Sequence, residues 1–188
     1  MRVPLTAGAS LRDVAATRVA LLRGINLGAR NKIAMPALRE LFADLGAEAV
    51  ETYVQSGNVV FDGRLEPGKI EARIKRDLGL EIVVLVRTAA ELKQVVAKSP
   101  FAKKVKDPKQ LHVTFLAEKP AAARVKELDP DRSPGDEFAV VGREVYLHTP
   151  KGYGVSKLSN AWFEQKLGLA GTSRNWNTVT TLAQLAQR

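Results

Sequence analysis

The order of apolar segments in the first half of the chain is the feature that most limits its fold. Short runs rich in Val, Ile, Leu and Phe, typical of strands, cover residues 17–23, 50–54, 58–61 and 82–86. Two segments with helical spacing of apolar residues lie between them, at 36–45 and 67–78. The order strand, helix, strand, strand, helix, strand is that of a ferredoxin-like unit.

The second half of the chain has a related but less regular order, and no residue-level repeat accompanies it. We expect, in order, a helix capped by Thr88, a strand, a helix, a hairpin and two helices, at 88–97, 111–116, 120–128, 138–141 with 144–148, 156–167 and 175–186. The sequence therefore predicts an α+β protein. It consists of an N-terminal extension at 1–16, a ferredoxin-like βαββαβ unit at 17–87 and a second unit of order αβαββαα at 88–188, with a distant duplication left open.

Several chemistries are disfavoured by the residues that the chain lacks. It has no cysteine, which excludes disulfides, thiol nucleophiles and cysteine metal sites and favours a cytoplasmic location. Its longest apolar runs, such as 82–86, are far shorter than the roughly 20 residues that span a bilayer, so we expect no membrane partner. His112 and His148 have no metal-ligand spacing to a carboxylate or to each other, and we expect no metal and no cofactor.

The charge balance favours an anionic partner. Lys and Arg outnumber Asp and Glu by 29 to 20, a formal net charge of +9. Part of the excess is local, because Asp107 alone opposes the five lysines Lys98, Lys103, Lys104, Lys106 and Lys109. Pro100 and Pro108 predict a loop here. It is interpreted first as a solvated connector and, as the alternative, as a loop that binds polyanions.

Four polar motifs, at 23–32, 55–58, 151–157 and 172–178, are richer in Gly, Asn, Arg, Ser and Lys than ordinary connectors. The ligand-binding residues predicted from them are Arg23, Gly24, Asn26, Gly28, Asn31, Lys32, Gln55, Ser56, Asn58, Lys151, Gly152, Tyr153, Ser156, Lys157, Arg174, Asn175, Trp176 and Asn177.

The motifs also carry a resemblance to a known family. The stretches LLRGINLGARNKI, YVQSGNVVF, DPKQLHVTFL, GREVYLHTPKGYGVSKLSN and TSRNWNTV resemble, in the same order, the bacterial family named domain of unknown function 1697. The resemblance covers about residues 17–186 and leaves the N-terminal extension outside. It implies an architecture, and it implies no activity.

The first two motifs are expected to be neighbours. In a ferredoxin-like unit the first two strands run parallel, so the loop after Arg23 and the hairpin tip at 55–58 fall on one sheet edge. Gly24 and Gly28 would let main-chain N–H groups approach an anion, with Arg23, Arg30 and Lys32 supplying charge. The alternative is a set of tight turns, held by the side chains of Asn26, Asn31 and Asn58.

The other two motifs are each expected at a helix start. In one, a helix beginning at Val155 or Ser156 follows the glycines of 151–157, which either cradle an anion or form a flexible linker. In the other, Thr172 or Ser173 caps a helix whose first turn presents Arg174, Asn175 and Asn177. Trp176 could stack on a ligand ring, although packing against the adjacent helix is the more common role.

Three functions remain open from the sequence. The first is binding of an anionic ligand, either nucleic acid or a phosphorylated metabolite, at an edge formed by the four motifs. The second is an enzyme acting on a phosphate- or carboxylate-bearing small molecule, with His148 or a lysine as acid or base. The third is a structural module whose motifs brace the two halves. An RNA-recognition surface is disfavoured, because the central strands offer Phe61 as a lone aromatic.

Overall fold

A computed structural model describes residues 16–188, so the predicted extension at 1–16 lies, except for Ala16, outside the described residues. The first half forms the predicted βαββαβ unit. Its elements are β1 (Thr17–Leu22), α1 (Met35–Asp44), β2 (Glu48–Tyr53), β3 (Asn58–Asp62), α2 (Pro67–Leu78) and β4 (Val84–Thr88). The sheet order is β2-β3-β1-β4, and every neighbouring pair is antiparallel.

Local chemistry explains where these elements begin and end. Proline stands at the first or second position of both helices, where its missing N–H costs nothing. Gly79 adopts a left-handed conformation (φ 67°) and ends α2. The fourth strand begins at Val84 instead of the predicted Ile82, because pairing with β1 starts at the register Leu22↔Val84 while Ile82 packs in the core beneath the helices.

The second half repeats this topology. After α3 (Ala89–Ala97), its elements are β5 (Leu111–Leu116), α4 (Ala122–Lys126), β6 (Glu137–Val141), β7 (Glu144–His148), α5 (Asn160–Leu167), β8 (Gly171–Asn175) and α6 (Trp176–Leu185). The sheet order β6-β7-β5-β8 matches that of the first unit, strand for strand. The second unit is thus also ferredoxin-like, with α3 before it and α6 after it.

The predicted order αβαββαα was wrong in omitting β8. Residues 171–175 pair antiparallel with β5, in the register Thr114↔Ser173. The side chains of Thr172 and Arg174 are buried although they are polar, so the strand has no apolar alternation to reveal it. A strand of this composition resembles a loop in sequence.

Two helix starts also differ from prediction. The helix expected from Val155 or Ser156 begins at Asn160, because Ser159 Oγ accepts the N–H of Trp162 as its cap. The final helix is capped by Asn175, whose Oδ1 accepts the N–H of Thr178 at 2.8 Å, and not by Thr172 or Ser173. The predicted cap at Thr88 is confirmed as a capping box with Glu91.

Three hydrophobic clusters form the core, and one of them joins the two units. One lies between the first sheet and α1 and α2, and another between the second sheet and the helices α4 and α5. The third joins the inward faces of both sheets to α3 and α6, with Val19, Phe115, Tyr146 and Trp176 among its members. Among residues 16–188, no helix has the length and apolar character needed to cross a membrane.

Candidate functional site

The first two motifs are neighbours, as the parallel run of β1 and β2 predicts. Leu22 N donates to the carbonyl of Gly57 at 2.8 Å, which ties the end of β1 to the hairpin tip. The amide of Asn26 donates to the carbonyl of Gln55 at 2.9 Å. These two bonds fix the 23–32 loop against the 55–58 turn.

Arg174 connects these motifs to the second unit. From β8, its guanidinium Nε donates to Asn58 Oδ1 at 2.6 Å. Its Nη2 donates to the carbonyls of Leu22 at 2.9 Å and Ser56 at 3.0 Å. The end of β8 therefore lies against the ends of β1 and β2.

A cleft of about 470 Å³ opens where the units meet, and all four motifs contribute to its walls. We call it the motif cleft. Its lining residues are Arg23, Gly24, Ile25, Leu27, Ser56, Tyr153, Ser159, Asn160, Ala161, Thr172, Ser173 and Arg174. The sequence motifs, which lie far apart in the chain, thus share one concave surface.

One cation of the cleft is paired across the two units. Arg23 makes a bidentate contact with Glu164 of α5, with both N–O distances at 2.7 Å. The hydrogen bond to Glu164 raises the pKa of Arg23, which stays charged. Glu164 is held in place by the N–H of Gly171, which donates to Oε1 at 2.8 Å. The Arg23 side chain is nevertheless 44% exposed, so solutes in the cleft can reach it.

The other cation, Arg174, is buried and has no carboxylate partner. Besides the three acceptors above, it donates from Nη1 to Thr172 Oγ1 and Ser173 O, so all five of its N–H groups are engaged. Every acceptor is neutral, and burial lowers the pKa of Arg174 to about 10. The sequence predicted that Arg174 binds a ligand from the first turn of a helix, whereas it lies in β8 and no N–H remains for direct contact with a ligand.

A second buried arginine, Arg87, has a carboxylate partner, unlike Arg174. Arg87 is 1% exposed, and its Nε donates to Glu144 Oε1 at 3.0 Å. A carboxylate thus neutralises the charge of Arg87, whereas that of Arg174 is balanced only by dipoles.

Hydroxyl groups line the wall of the cleft that belongs to the second unit. Tyr153 OH donates to Ser173 Oγ at 3.0 Å, and the N–H of Asn160 donates to the Tyr153 oxygen at 3.1 Å. Ser173 Oγ also lies 2.6 Å from Thr114 Oγ1. The cleft-lining residues that sequence reasoning missed as site residues are Ile25, Leu27, Ser159, Asn160, Ala161, Thr172 and Ser173. It also missed Thr114 and Glu164, which contact Ser173 and Arg23. Ser159 and Asn160 end a stretch that carries the family resemblance, and this was the available signal.

Other predicted residues hold the loops instead of facing the cleft. Asn26 (φ 54°) accepts from Ile33 N at 2.9 Å, and Asn31 (φ 48°) donates to Gly24 O at 3.1 Å. Asn58 donates to Tyr53 O at 3.0 Å, which agrees with the tight-turn interpretation of these asparagines. Trp176 is 9% exposed and packs in the central cluster. Besides Trp176, the predicted residues that neither hold the loops in this way nor line the cleft are Gly28, Lys32, Gln55, Lys151, Gly152, Ser156, Lys157, Asn175 and Asn177.

Neither histidine lines the cleft. Nδ1 of His148 lies 2.9 Å from Glu137 Oε2 at the start of the β6–β7 hairpin. His112 stacks on Tyr153, with ring centroids 4.4 Å apart, and so lies behind the cleft wall. Burial lowers the pKa of His112 to about 4, so the ring is neutral at pH 7. The interpretation of His148 as an acid or base therefore gains no support from its position.

A second cavity, of about 480 Å³, lies between α3 and the β6–β7 hairpin. None of the predicted ligand-binding residues lines it. Its arginine, Arg143, is already paired with Glu91 by an Nη2–Oε1 contact of 2.5 Å. The motif cleft is therefore the stronger candidate site.

Comparison with known protein families supports the family resemblance of the sequence. The family described as "Protein of unknown function (DUF1697)" matches residues 16–146. The chain belongs to this family. The DUF1697 match includes the motifs at 23–32 and 55–58, so it confirms the resemblance carried by the sequence.

A solved structure shares the fold of this DUF1697 protein. It is titled "The structure of conserved bacterial protein SP0830 from Streptococcus pneumoniae" and is similar with a TM-score of 0.67 at 19% sequence identity. The similarity covers 91% of this chain and 98% of that one. A comparison with curated proteins gives no significant match.

Proposed function

We propose that this DUF1697 protein binds a small molecule with a phosphate or carboxylate group in the motif cleft. The observation that carries the proposal is the charge of Arg174, which forms part of the cleft wall and contacts only neutral acceptors. An anion in the cleft supplies the negative charge that Arg174 lacks. Because the guanidinium is buried, water screens the attraction between the two charges poorly. Arg174 attracts the ligand through its electrostatic field, while Arg23 provides the N–H groups for direct contact.

The remaining walls suit the same ligand chemistry. None of the twelve lining residues, all within the described part of the chain, is acidic. The hydroxyls of Ser56, Tyr153 and Ser173 provide hydrogen-bonding groups. The first turn of α5, at Ser159–Ala161, forms another wall and adds the partial positive charge of a helix N-terminus.

The size of the cleft favours a metabolite over a polymer. Small-molecule sites occupy about 300–1,000 Å³, and the 470 Å³ of the motif cleft falls within this range. Ile25, Leu27 and Ala161 give the cleft an apolar side, which suits a ligand with a ring or aliphatic portion beside its anionic group. Of the two ligand classes that the sequence left open at this edge, these features support the phosphorylated metabolite.

A structural role is the second candidate, and one observation favours it. Arg174 joins the two units through hydrogen bonds to Asn58 Oδ1, Leu22 O and Ser56 O, and its remaining N–H groups donate within its own strand. Bracing alone, however, accounts neither for the exposed face of Arg23 nor for the hydroxyls at the cleft surface. The two candidates differ in one measurable respect, which is whether changes at the cleft alter the affinity for an anion.

The Arg23–Glu164 pair provides the test. An anion in the cleft competes with Glu164 for Arg23, so Arg23→Gln removes a ligand contact while Glu164→Gln removes the competitor. Both variants break the same ion pair, and in Glu164→Gln the new amide keeps a carbonyl oxygen that accepts the N–H of Gly171. Their effects on stability should be similar and their effects on binding opposite.

Inorganic pyrophosphate is a suitable probe, titrated by calorimetry at constant ionic strength. We expect Arg23→Gln to weaken binding about tenfold and Glu164→Gln to strengthen it about threefold, as for loss or gain of one charge-assisted contact. Arg76→Gln, which removes an exposed cation on α2, is the charge-matched control and should bind as the unmodified protein does. Pyrophosphate affinity that is absent, or that moves the same way in both cleft variants, would leave bracing as the better explanation.

A further inference from the structure

A second basic surface lies outside the motif cleft. We call residues 98–109, between α3 and β5, the lysine loop. Its five lysines are all exposed, and no ion pair or hydrogen bond joins any of their ammonium groups to another residue in 16–188. They are Lys98, Lys103, Lys104, Lys106 and Lys109. The one carboxylate of the segment, on Asp107, accepts the backbone N–H of Lys109 at 3.0 Å.

The loop has a defined shape in spite of its composition. Phe101 anchors it in the central cluster and is 7% exposed. The carbonyl of Phe101 accepts the N–H groups of Lys104 at 2.9 Å and Val105 at 3.0 Å. A short 3₁₀ turn, Pro108–Gln110, completes the segment. An ordered backbone lowers the entropy lost when the lysines engage a partner, which distinguishes this loop from a flexible connector.

Lys151 extends the same surface. The carbonyl of Gln110 accepts the N–H of Thr149 at 2.8 Å, and the Gln110 side chain donates to Pro150 O at 3.4 Å. The chain at 149–151 therefore lies beside the end of the lysine loop, and the exposed Lys151 adds a sixth positive charge. This surface is at the end of the second sheet where β5 begins and β7 finishes.

We infer that the lysine loop and Lys151 form a binding surface for nucleic acid, which they contact through its phosphates. A cluster of unpaired, exposed ammonium groups on an ordered backbone matches a partner with closely spaced negative charges. The loop carries no exposed aromatic side chain on which a base could stack, since Phe101 is buried. Binding is therefore independent of base sequence and strongly dependent on salt.

The apolar side chains of the loop argue against an anionic membrane as the partner. A segment that inserts into a bilayer presents large apolar groups beside its lysines. Here Phe101 is buried, and Ala102 and Val105 are half-buried against the central cluster. The exposed groups are the ammonium ends of the lysines, which suit a phosphate backbone better than an acyl-chain interior.

A fluorescence anisotropy titration with labelled random-sequence duplex DNA of about 20 base pairs, from about 50 to 200 mM NaCl, tests this inference. Lys103, Lys104, Lys106 and Lys109 are changed together to Gln. The matched control changes Lys69, Lys119, Lys126 and Lys166 to Gln, four exposed lysines from other elements and the same loss of charge.

We expect the loop variant to bind more than tenfold more weakly at about 100 mM salt, with a log–log salt slope smaller by about three to four. The control variant should stay within about threefold, because charge far from the contact acts only through a screened field. Pyrophosphate affinity at the motif cleft should be unchanged in the loop variant, so the two proposals succeed or fail separately.

Three results would overturn the inference. One is the absence of salt-dependent DNA binding by the unmodified protein. Another is equal loss of affinity in the loop and control variants, which would show that net charge alone is responsible. The last is binding to vesicles containing phosphatidylserine that depends on the loop lysines while DNA binding does not.

Discussion

Arg174 and Asn58 lie 116 positions apart in the chain and are joined by a hydrogen bond of 2.6 Å from Nε to Oδ1. The bond runs from β8 of the second unit to β3 of the first, so it closes the end of the interface at which the four motifs meet. Because of this bond, the wall of the motif cleft in the first unit and the wall in the second unit hold each other in position.

Replacing Arg174 should therefore destabilise the whole protein. Arg174→Met removes the donors for several buried acceptors, among them Leu22 O and Ser56 O, and an unsatisfied buried acceptor costs about 1–3 kcal/mol. We expect the free energy of unfolding to fall by about 3 kcal/mol, measured by urea denaturation. Arg64→Met, at an exposed ion pair with Glu66, is the control and should cost no more than about 0.5 kcal/mol. A loss below about 1 kcal/mol for Arg174→Met would contradict the bracing role.

Two glycines with positive φ, one at the hairpin tip and one in the 23–32 loop, offer a further comparison. At Gly57 (φ 83°), a Cβ atom would lie 2.9 Å from both Ile25 Cδ1 and Leu22 Cβ. At Gly24 (φ 66°), it would meet nothing within 4 Å. Gly57→Ala should cost more than about 2 kcal/mol and Gly24→Ala about 1 kcal/mol, since the second change adds only backbone strain. Thermal unfolding of the two variants side by side measures the difference, and equal midpoints would show that the tip relaxes freely.

The sequence predicted the fold well wherever burial and hydrophobicity coincide. The central strands of the first unit are short, continuous apolar runs, and the helix at Pro67–Leu78 was predicted at both ends. The strand β8 was missed because its buried residues are Thr172 and Arg174, which a pattern of apolar residues cannot detect. Without β8, the second unit could not be identified as a repeat of the first.

The candidate site was predictable only in part, for a related reason. Chain topology places the loop at 23–32 beside the turn at 55–58, and this follows from strand order alone. The bidentate contact of Arg23 with Glu164 depends on how the two units dock, and a single glutamate on an amphipathic helix gives no local signal. Arg174 was predicted in the first turn of a helix, because the acceptors that hold it across the interface belong to residues far away in the chain.

Removing the carboxylate partner of the buried Arg87 should destabilise the protein. Glu144→Gln leaves the charge of Arg87 in the interior without its carboxylate, which should cost about 2–4 kcal/mol. The double variant Arg87→Met with Glu144→Gln removes that charge as well and should be more stable than Glu144→Gln alone. Urea denaturation of the single and double variants forms the cycle. A double variant less stable than Glu144→Gln would mean that the hydrogen bond of Arg87 to Leu116 O outweighs its uncompensated charge.

His112 should make stability fall in mild acid. Burial lowers its pKa from an ordinary value of 6.5 to about 4, so the unfolded chain takes up a proton before the folded one does. The stabilisation from the neutral ring is complete above pH 6.5 and is lost as the pH falls from there towards 4. Because part of the ring faces solvent, screening reduces the effect, and we expect about 1–2 kcal/mol.

The variant His112→Phe isolates this contribution, since it keeps an aromatic ring against Tyr153 and cannot titrate. Urea denaturation at about pH 7 and pH 4.5 should show a smaller decrease in unfolding free energy for the variant than for the unmodified protein. Identical decreases would place the acid sensitivity on the carboxylates instead.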